Sequence, residues 1–287
     1  GYPRAMPEGD TLYRVADVMR RTLGTDEIVA ARGRPGGAQL ERVIGTHVSA
    51  VRTQGKHLLI DFDDGLTLHT HLHMNGSWHR YRLGEPWRAP AADAVAVLQT
   101  TRAVAVCFEA PTVELIETRA LGLHPVLSRL GPDLLDAEPD IDEASRRLRA
   151  APTTVAEALL DQRVVAGIGN VYRSEILFIE RQDPFRPAST VMPGAANRLL
   201  ATARDLLRAN VGGRERVTMP DASGARPHAS AAGSRSRDRW VYDRAGRPCR
   251  DCGTPIESRA IGELPRRLYW CPRCQDVSAT SEPGPVR

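Results

Sequence analysis

The stretch LDQRVVAGIGNVY, residues 160–172, decides how the chain is organised. A helical pattern leads into it, with Thr154 as a cap and Val155, Leu159 and Leu160 on one apolar face. Gly167 and Gly169 interrupt that pattern. A second one follows through Val171, Ile176, Leu177 and Ile179. The spacing predicts a helix over 154–165, a tight turn, and another helix entered at Asn170. Glycines let the backbone turn sharply and approach a partner closely. A helix start offers unpaired N–H groups and a favourable dipole, so Asn170 and its neighbours suit a phosphate. A plain turn between two helices would use the same residues, and the stretch alone does not choose.

On its C-terminal side, the segment from 194 to about 211 reads as another helix, and on its N-terminal side 140–150 does too. Further upstream the texture changes. From about 27 to 118, short apolar runs alternate with turn residues. Residues 57–62, Asp63-Asp64-Gly65 and residues 66–72 form one such pair; 94–99 and 103–109 form another. This predicts a β-sandwich or barrel of about eight strands. Before it, Leu12, Val15, Ala16, Met19 and Leu23 share a face of a helix over 10–23, with Asp10 able to cap it. The fold class read from this is α+β: an N-terminal helix with a β-sandwich lobe, then a helical lobe. The expected divisions are 7–130, 131–215, a flexible basic loop over 216–239, a metal finger over 240–275 and a disordered tail over 276–287.

Five cysteines are present. Cys249-x-x-Cys252 and Cys271-x-x-Cys274 have the spacing of a structural zinc site. Each C-x-x-C turn offers two thiolates to one side of a tetrahedral ion, and four thiolates leave no open position for chemistry. One structural Zn²⁺ is therefore expected. Without a secretion signal, two disulfides are the weaker alternative. Cys107 lies in an apolar run and reads as a buried, inert thiol.

The 287 residues carry a net charge of +4, unevenly spread. Residues 198–287 hold 17 Arg against 10 acids. That excess suits a polyanion such as nucleic acid, or simply a solvated basic surface. Of 39 basic residues only Lys56 is a lysine. Lysine is a compact, titratable ammonium where arginine is a permanently charged fork, so a lone lysine suggests a role arginine cannot fill. No apolar run is long enough for a membrane span and no signal pattern opens the chain. A soluble intracellular protein with no membrane partner is the expectation.

Taken together, Met6-Pro7-Glu8-Gly9 entering a helix, Gln54-Gly55-Lys56-His57, the 160–172 stretch and the two C-x-x-C pairs closely resemble the formamidopyrimidine-DNA glycosylase/endonuclease VIII family. The similarity is strongest to its actinobacterial endonuclease VIII-like branch and spans about 6–275. The resemblance implies a helix-two-turn-helix with a zinc finger, and damaged DNA as the partner. It implies a bifunctional DNA glycosylase/AP lyase that removes oxidised bases, pyrimidines in this branch, followed by β,δ-elimination. Pro7 would be the nucleophile, Glu8 the general acid/base, and Lys56 a phosphate-contacting lysine that assists the acid chemistry. His73, Met74 and Asn75 would enter the gap left by the flipped nucleotide, with Met74 as the apolar wedge and a strand-end core methionine as its structural alternative. Asn170 and Arg266 would hold phosphates, Arg267 competing with Arg266. Glu175 matches a carboxylate near the site. Thr11 departs from the family, which often has a glutamate there.

Only a free amine can act as the nucleophile, because an amide nitrogen has no available lone pair. The resemblance therefore takes Met6 as initiator and Pro7 as the working N-terminus. With residues 1–5 retained, the expectation becomes a non-catalytic lesion- or abasic-site-binding protein. An enzyme of the same chemistry preferring oxidised purines is the closer alternative.

Overall fold

The computed structural model describes residues 7–213, 216–220 and 239–277. The expectations for residues 1–6, most of the basic loop and most of the tail lie outside them. The chain divides into two compact units, Gly1–Arg129 and Leu130–Arg287.

The first unit opens with α1 (Gly9–Leu23), whose Leu12, Ala16, Met19 and Leu23 are fully buried. Asp10 does not cap it. Glu8 occupies the cap position without a side-chain cap bond, and Asp10, inside the first turn, pairs with Arg14 at 3.1 Å. An acid there is favoured by the helix dipole whether or not it caps. Eight strands follow: β1 (Ala30–Gly33), β2 (Val48–Gln54), β3 (His57–Phe62), β4 (Leu66–His71), β5 (Ser77–Arg82), β6 (Ala94–Gln99), β7 (Ala103–Phe108) and β8 (Thr112–Glu117). They form two four-stranded sheets, ordered β1-β6-β7-β5 and β2-β3-β4-β8. All pairings are antiparallel. One core is shared by α1 and both sheets, with Leu58, Ile60 and Leu68 from one sheet and Leu98, Ala105 and Cys107 from the other. Cys107 is fully buried and burial pushes its thiol pKa up, as an inert core thiol requires. The Asp63-Asp64-Gly65 turn joins β3 to β4, Gly65 taking φ 82° and Leu66 N–H donating to Asp64 Oδ1 at 3.0 Å.

Alternation puts Leu58, Ile60 and Phe62 of β3 on the core face. The opposite face should be polar and wet, yet every residue of β3 is buried. His57, Asp61, Thr67 and His69 lie under it with side-chain partners. Arg52 donates to both Asp61 oxygens, at 2.7 and 3.2 Å, and Thr67 donates to Asp61 at 2.7 Å.

The second unit contains α2 (Ile141–Ala150), α3 (Val155–Ala158), α4 (Asn170–Ile179) and α5 (Pro193–Asn210), then a hairpin of β9 (Glu257–Ile261) and β10 (Arg266–Trp270). Thr154 caps α3 in a capping box with Glu157. The helix expected over 154–165 stops at Ala158. Asp161 is the physical reason: its side chain accepts from Arg163 N–H at 2.9 Å and starts a separate turn. Gln162 then binds the turn from within, donating to Leu160 and Ile168 carbonyls at 2.8 and 3.0 Å and accepting from Gly167 N–H at 3.1 Å. Gly131 backs it so closely that a Cβ would lie 2.4 Å from Val164 O. Leu268 and Trp270 of β10 pack into the helical core, Trp270 edge-on to Phe185 at 4.9 Å between centroids.

The buried imidazoles make the first unit acid-sensitive. His57 is held neutral down to about 2 and His71 down to about 3, burial being the main cause and neighbouring imidazoles adding to it for His57. Unfolded histidine takes up its proton near 6.5, so below that pH the unfolded chain binds more protons and stability falls. Each group contributes about 1.4 kcal/mol per pH unit. Urea unfolding of the first unit is expected at a clearly lower midpoint at pH 5 than at pH 7; equal midpoints would contradict the burial of these rings.

Candidate nucleic-acid and metal sites

Pro7, Glu8, Lys56 and the 73–75 turn fall in the first unit; Asn170, Arg266 and the four paired cysteines fall in the second. Pro7 is partly exposed and leads directly into α1, while Glu8 is fully buried at the helix start. The Glu8 carbonyl accepts from Thr11 and Leu12 N–H at 2.9 and 3.1 Å, which fixes the first turn. Thr11 itself accepts from Arg14 at 3.2 Å. Lys56 sits in the two-residue turn between β2 and β3, after Gly55 at φ 58°. Glycine at the first place of such a turn matches the twist of the flanking strands. Gln54 Nε2 donates to Leu127 O at 3.2 Å and anchors the strand end.

His73, Met74 and Asn75 form the exposed turn between β4 and β5. Met74 is 45% exposed, so it is not a core methionine. His73 takes φ 51° and its Nε2 lies 3.3 Å from Thr112 Oγ1. Gly76 closes the turn by donating to Leu72 O at 2.8 Å; a Cβ there would sit 2.6 Å from that oxygen. The turn is therefore rigidly based with an apolar tip.

In the second unit Asn170 starts α4 and is 4% exposed. Its Nδ2 donates to Arg267 O on β10 at 2.9 Å. Arg173, one turn on, donates to Asn170 Oδ1 and, at 3.3 Å, to Arg266 O. The start of α4 and the finger strand are thus brought together across nearly a hundred residues. Arg266 is half-buried, whereas Arg267 is exposed and donates to Ser258 Oγ at 3.0 Å.

The four cysteine sulfurs lie within 4.8 Å of one another. Cys249–Cys274 and Cys252–Cys271 are 3.8 and 3.5 Å apart. Disulfides need about 2.05 Å. Thiolates around a tetrahedral ion at about 2.3 Å would be about 3.8 Å apart. The set fits a four-thiolate metal. Gln275 braces it, accepting from Cys271 N–H at 2.9 Å and donating to Gln182 O at 3.0 Å.

Two features escaped the sequence: the role of Glu175, which the resemblance gives only as a carboxylate near the site, and a line of histidines. Glu175 is fully buried, and its oxygens accept from Thr218 Oγ1 and from Trp240, Val241 and Tyr242 N–H at 2.8 to 2.9 Å. It is a clamp for the backbone entering the finger. Nothing in its spacing announces this, because its partners lie more than forty residues away. The other is a run of imidazoles: His57, His69, His71, His73 and His124 follow one another at ring separations of 4.2 to 5.2 Å. The i, i+2 spacing of His69, His71 and His73 was its one visible sign.

Known proteins match this arrangement. Residues 6–122 match the formamidopyrimidine-DNA glycosylase N-terminal domain and 130–220 that family's H2TH domain. A "probable endonuclease 8 2" of Streptomyces coelicolor is 37% identical, covering 94% of each chain. "DNA-(apurinic or apyrimidinic site) lyase Nei2" of Mycolicibacterium smegmatis is 35% identical, over 95% of this chain and all of that one. The Lactococcus lactis formamidopyrimidine-DNA glycosylase bound to abasic-site DNA superposes with a TM-score of 0.77 at 20% identity, covering 93% of this chain and 99% of that one.

Replacing Glu175 by alanine leaves three buried N–H donors without their acceptor, at about 1–3 kcal/mol each. Limited proteolysis is expected to cut E175A between 239 and 245 far faster than the parent; equal rates there would show that the clamp is dispensable.

Proposed function

The chain belongs to the formamidopyrimidine-DNA glycosylase family, in its endonuclease VIII-like branch, and on that footing we propose that it is a DNA glycosylase/AP lyase of base-excision repair acting through Pro7. The observation that carries the reading is the placing of Pro7 and the buried Glu8 at the start of α1, in a unit that also presents Lys56 and an exposed Met74 on rigid turns.

Chemistry follows from these residue types. The target base must leave the stack before its sugar can be reached. Met74 is suited to fill the space it vacates, as apolar wedges do. The Pro7 amine attacks C1′; the C1′–N bond breaks and the base departs with its electron pair, protonated on leaving. Sugar-ring opening, aided by a proton from Glu8, gives an iminium between Pro7 and C1′. The iminium draws electrons toward nitrogen. That acidifies the 2′ hydrogen, and its removal expels the 3′ phosphate. A second elimination expels the 5′ phosphate. Lys56, Asn170 and Arg266 hold phosphates, with the long-range attraction expected of a basic protein. Oxidised pyrimidines are the proposed substrates, in keeping with the relatives named endonuclease 8.

Cys249, Cys252, Cys271 and Cys274 would hold one Zn²⁺. Four thiolates close its coordination, so it supplies structure to the finger and no reaction step. The protein would work as a monomer in the nucleoid. Among the described residues no helix is long and apolar enough to cross a membrane.

Two experiments test this reading. Borohydride should trap a covalent adduct between abasic-site or thymine-glycol DNA and protein whose N-terminus is Pro7, and should trap none when residues 1–6 precede it. Absence of both adduct and strand cleavage with the Pro7-start protein would sink the proposal. Cys271→Ser should release the ion and weaken DNA binding while the first unit stays folded. Full zinc stoichiometry in that variant would exclude the four-cysteine site.

A further inference from the structure

One line of hydrogen bonds crosses the buried polar face of the β2-β3-β4-β8 sheet, and its proton positions can be deduced from one end. His124 Nδ1 accepts backbone N–H groups of Val126 and Leu127 at 3.2 and 3.1 Å. A backbone N–H can only donate, so Nδ1 carries the lone pair and the proton of the neutral ring is on Nε2. His124 Nε2–H therefore donates to Glu114 Oε2 at 3.1 Å. Glu114 is nearly half exposed, and hydrogen bonds from His69 and His124 favour its ionised form against the cost of burial. As a carboxylate it accepts only, so His69 must carry its proton on Nδ1, 2.8 Å away. That leaves a lone pair on His69 Nε2. His57 Nδ1, 2.8 Å from it, must be the donor. The chain ends with an unprotonated Nε2 on His57, the residue after Lys56.

His69, Glu114 and His124 are also a trio of metal-ligating types within 4.8 Å. The deduced tautomer argues against a metal there. His124 Nε2 has no lone pair to give while its Nδ1 accepts two amides.

We propose that His57 is a positioning residue for the Lys56 turn, its ring locked as the Nδ1–H tautomer by Glu114 acting through His69. The proposal rests on the role given to Lys56 above. The lock fixes the first residue of β3 by its side chain as well as by its pairing with Gln54. Burial, with the neighbouring imidazoles adding to it, keeps the ring neutral. The Lys56 ammonium is close enough to disfavour protonation of His71, which packs on His57 at 4.5 Å. Charged imidazoles at this end of the sheet would repel that ammonium. A neutral, oriented ring supports the turn without displacing the lysine.

The test uses Pro7-start protein. Long-range ¹H–¹⁵N spectra of the imidazoles at pH 7.5 should show Nδ1–H for His57 and His69 and Nε2–H for His124. In Glu114→Ala the acceptor is gone, so His57 and His69 should exchange between tautomers. Single-turnover cleavage of abasic DNA should then slow by about tenfold with little change in DNA affinity, the cost of a misplaced group. Glu114→Gln keeps an oxygen that can accept both donors, and should restore the tautomers and most of the rate. An Nε2–H tautomer at His57 in the parent, or parental cleavage by Glu114→Ala, overturns the proposal. So does a second tightly bound Zn²⁺ per chain that is lost in His124→Gln. If the parent forms no adduct, the reading of Pro7 fails, while the spectra still decide the tautomers.

Discussion

The second unit depends on how the finger strand is tied to the start of α4. Asn170 and Arg173 grip the carbonyls of Arg267 and Arg266 with side chains that are themselves buried. Charge-assisted bonds of this kind are stronger than neutral ones, and a buried guanidinium without partners would be costly. The consequence is geometric. Two groups suited to phosphate come from sequence motifs nearly a hundred residues apart and are held in one register. The Gly-x-Gly turn delivers Asn170 to that point, and Gln162 holds the turn from inside.

The first unit solves a different problem. The central strands β3 and β4 of its β2-β3-β4-β8 sheet are buried on both faces, yet one face carries histidine, aspartate and threonine. Such groups can be buried only when each donor meets an acceptor. Arg52, Asp61, Thr67 and Thr118 close one such line, and His57, His69, Glu114 and His124 close another. Both run across the strands and so fix register from the polar side, while Leu58, Ile60 and Leu68 fix it from the core side. A one-residue slip would break both at once.

Local signals in the sequence were enough for most of the elements and for the four-cysteine cluster. Cysteine spacing, the apolar stripe of α1 and the Asp-Gly turn all act over a few residues, and the structure follows them. The α3 helix was misread because Asp161 and Gln162 bind nearby backbone in competition with helix, a choice that periodicity does not register. Met74 could be read either way from its strand-end position, and its 45% exposure decides against the core. Glu175 and the histidine line were hidden for another reason. Their partners are set by strand register and chain return, which one sequence read in order does not display.

Three of the contacts that shape and place the finger are not equivalent. The cysteine set brings two knuckles to each other and, with an ion bound, would determine whether the finger has a fold at all. The Glu175 clamp determines where the chain enters it. The Asn170–Arg173 grip determines where its arginines sit relative to α4. An ion alone could therefore give a folded finger in the wrong place, and the grip alone could hold only a strand that is already formed. Placing Arg266 beside Asn170 requires the cysteine set, the clamp and the grip together, which is why a module of two short strands is fastened at so many points.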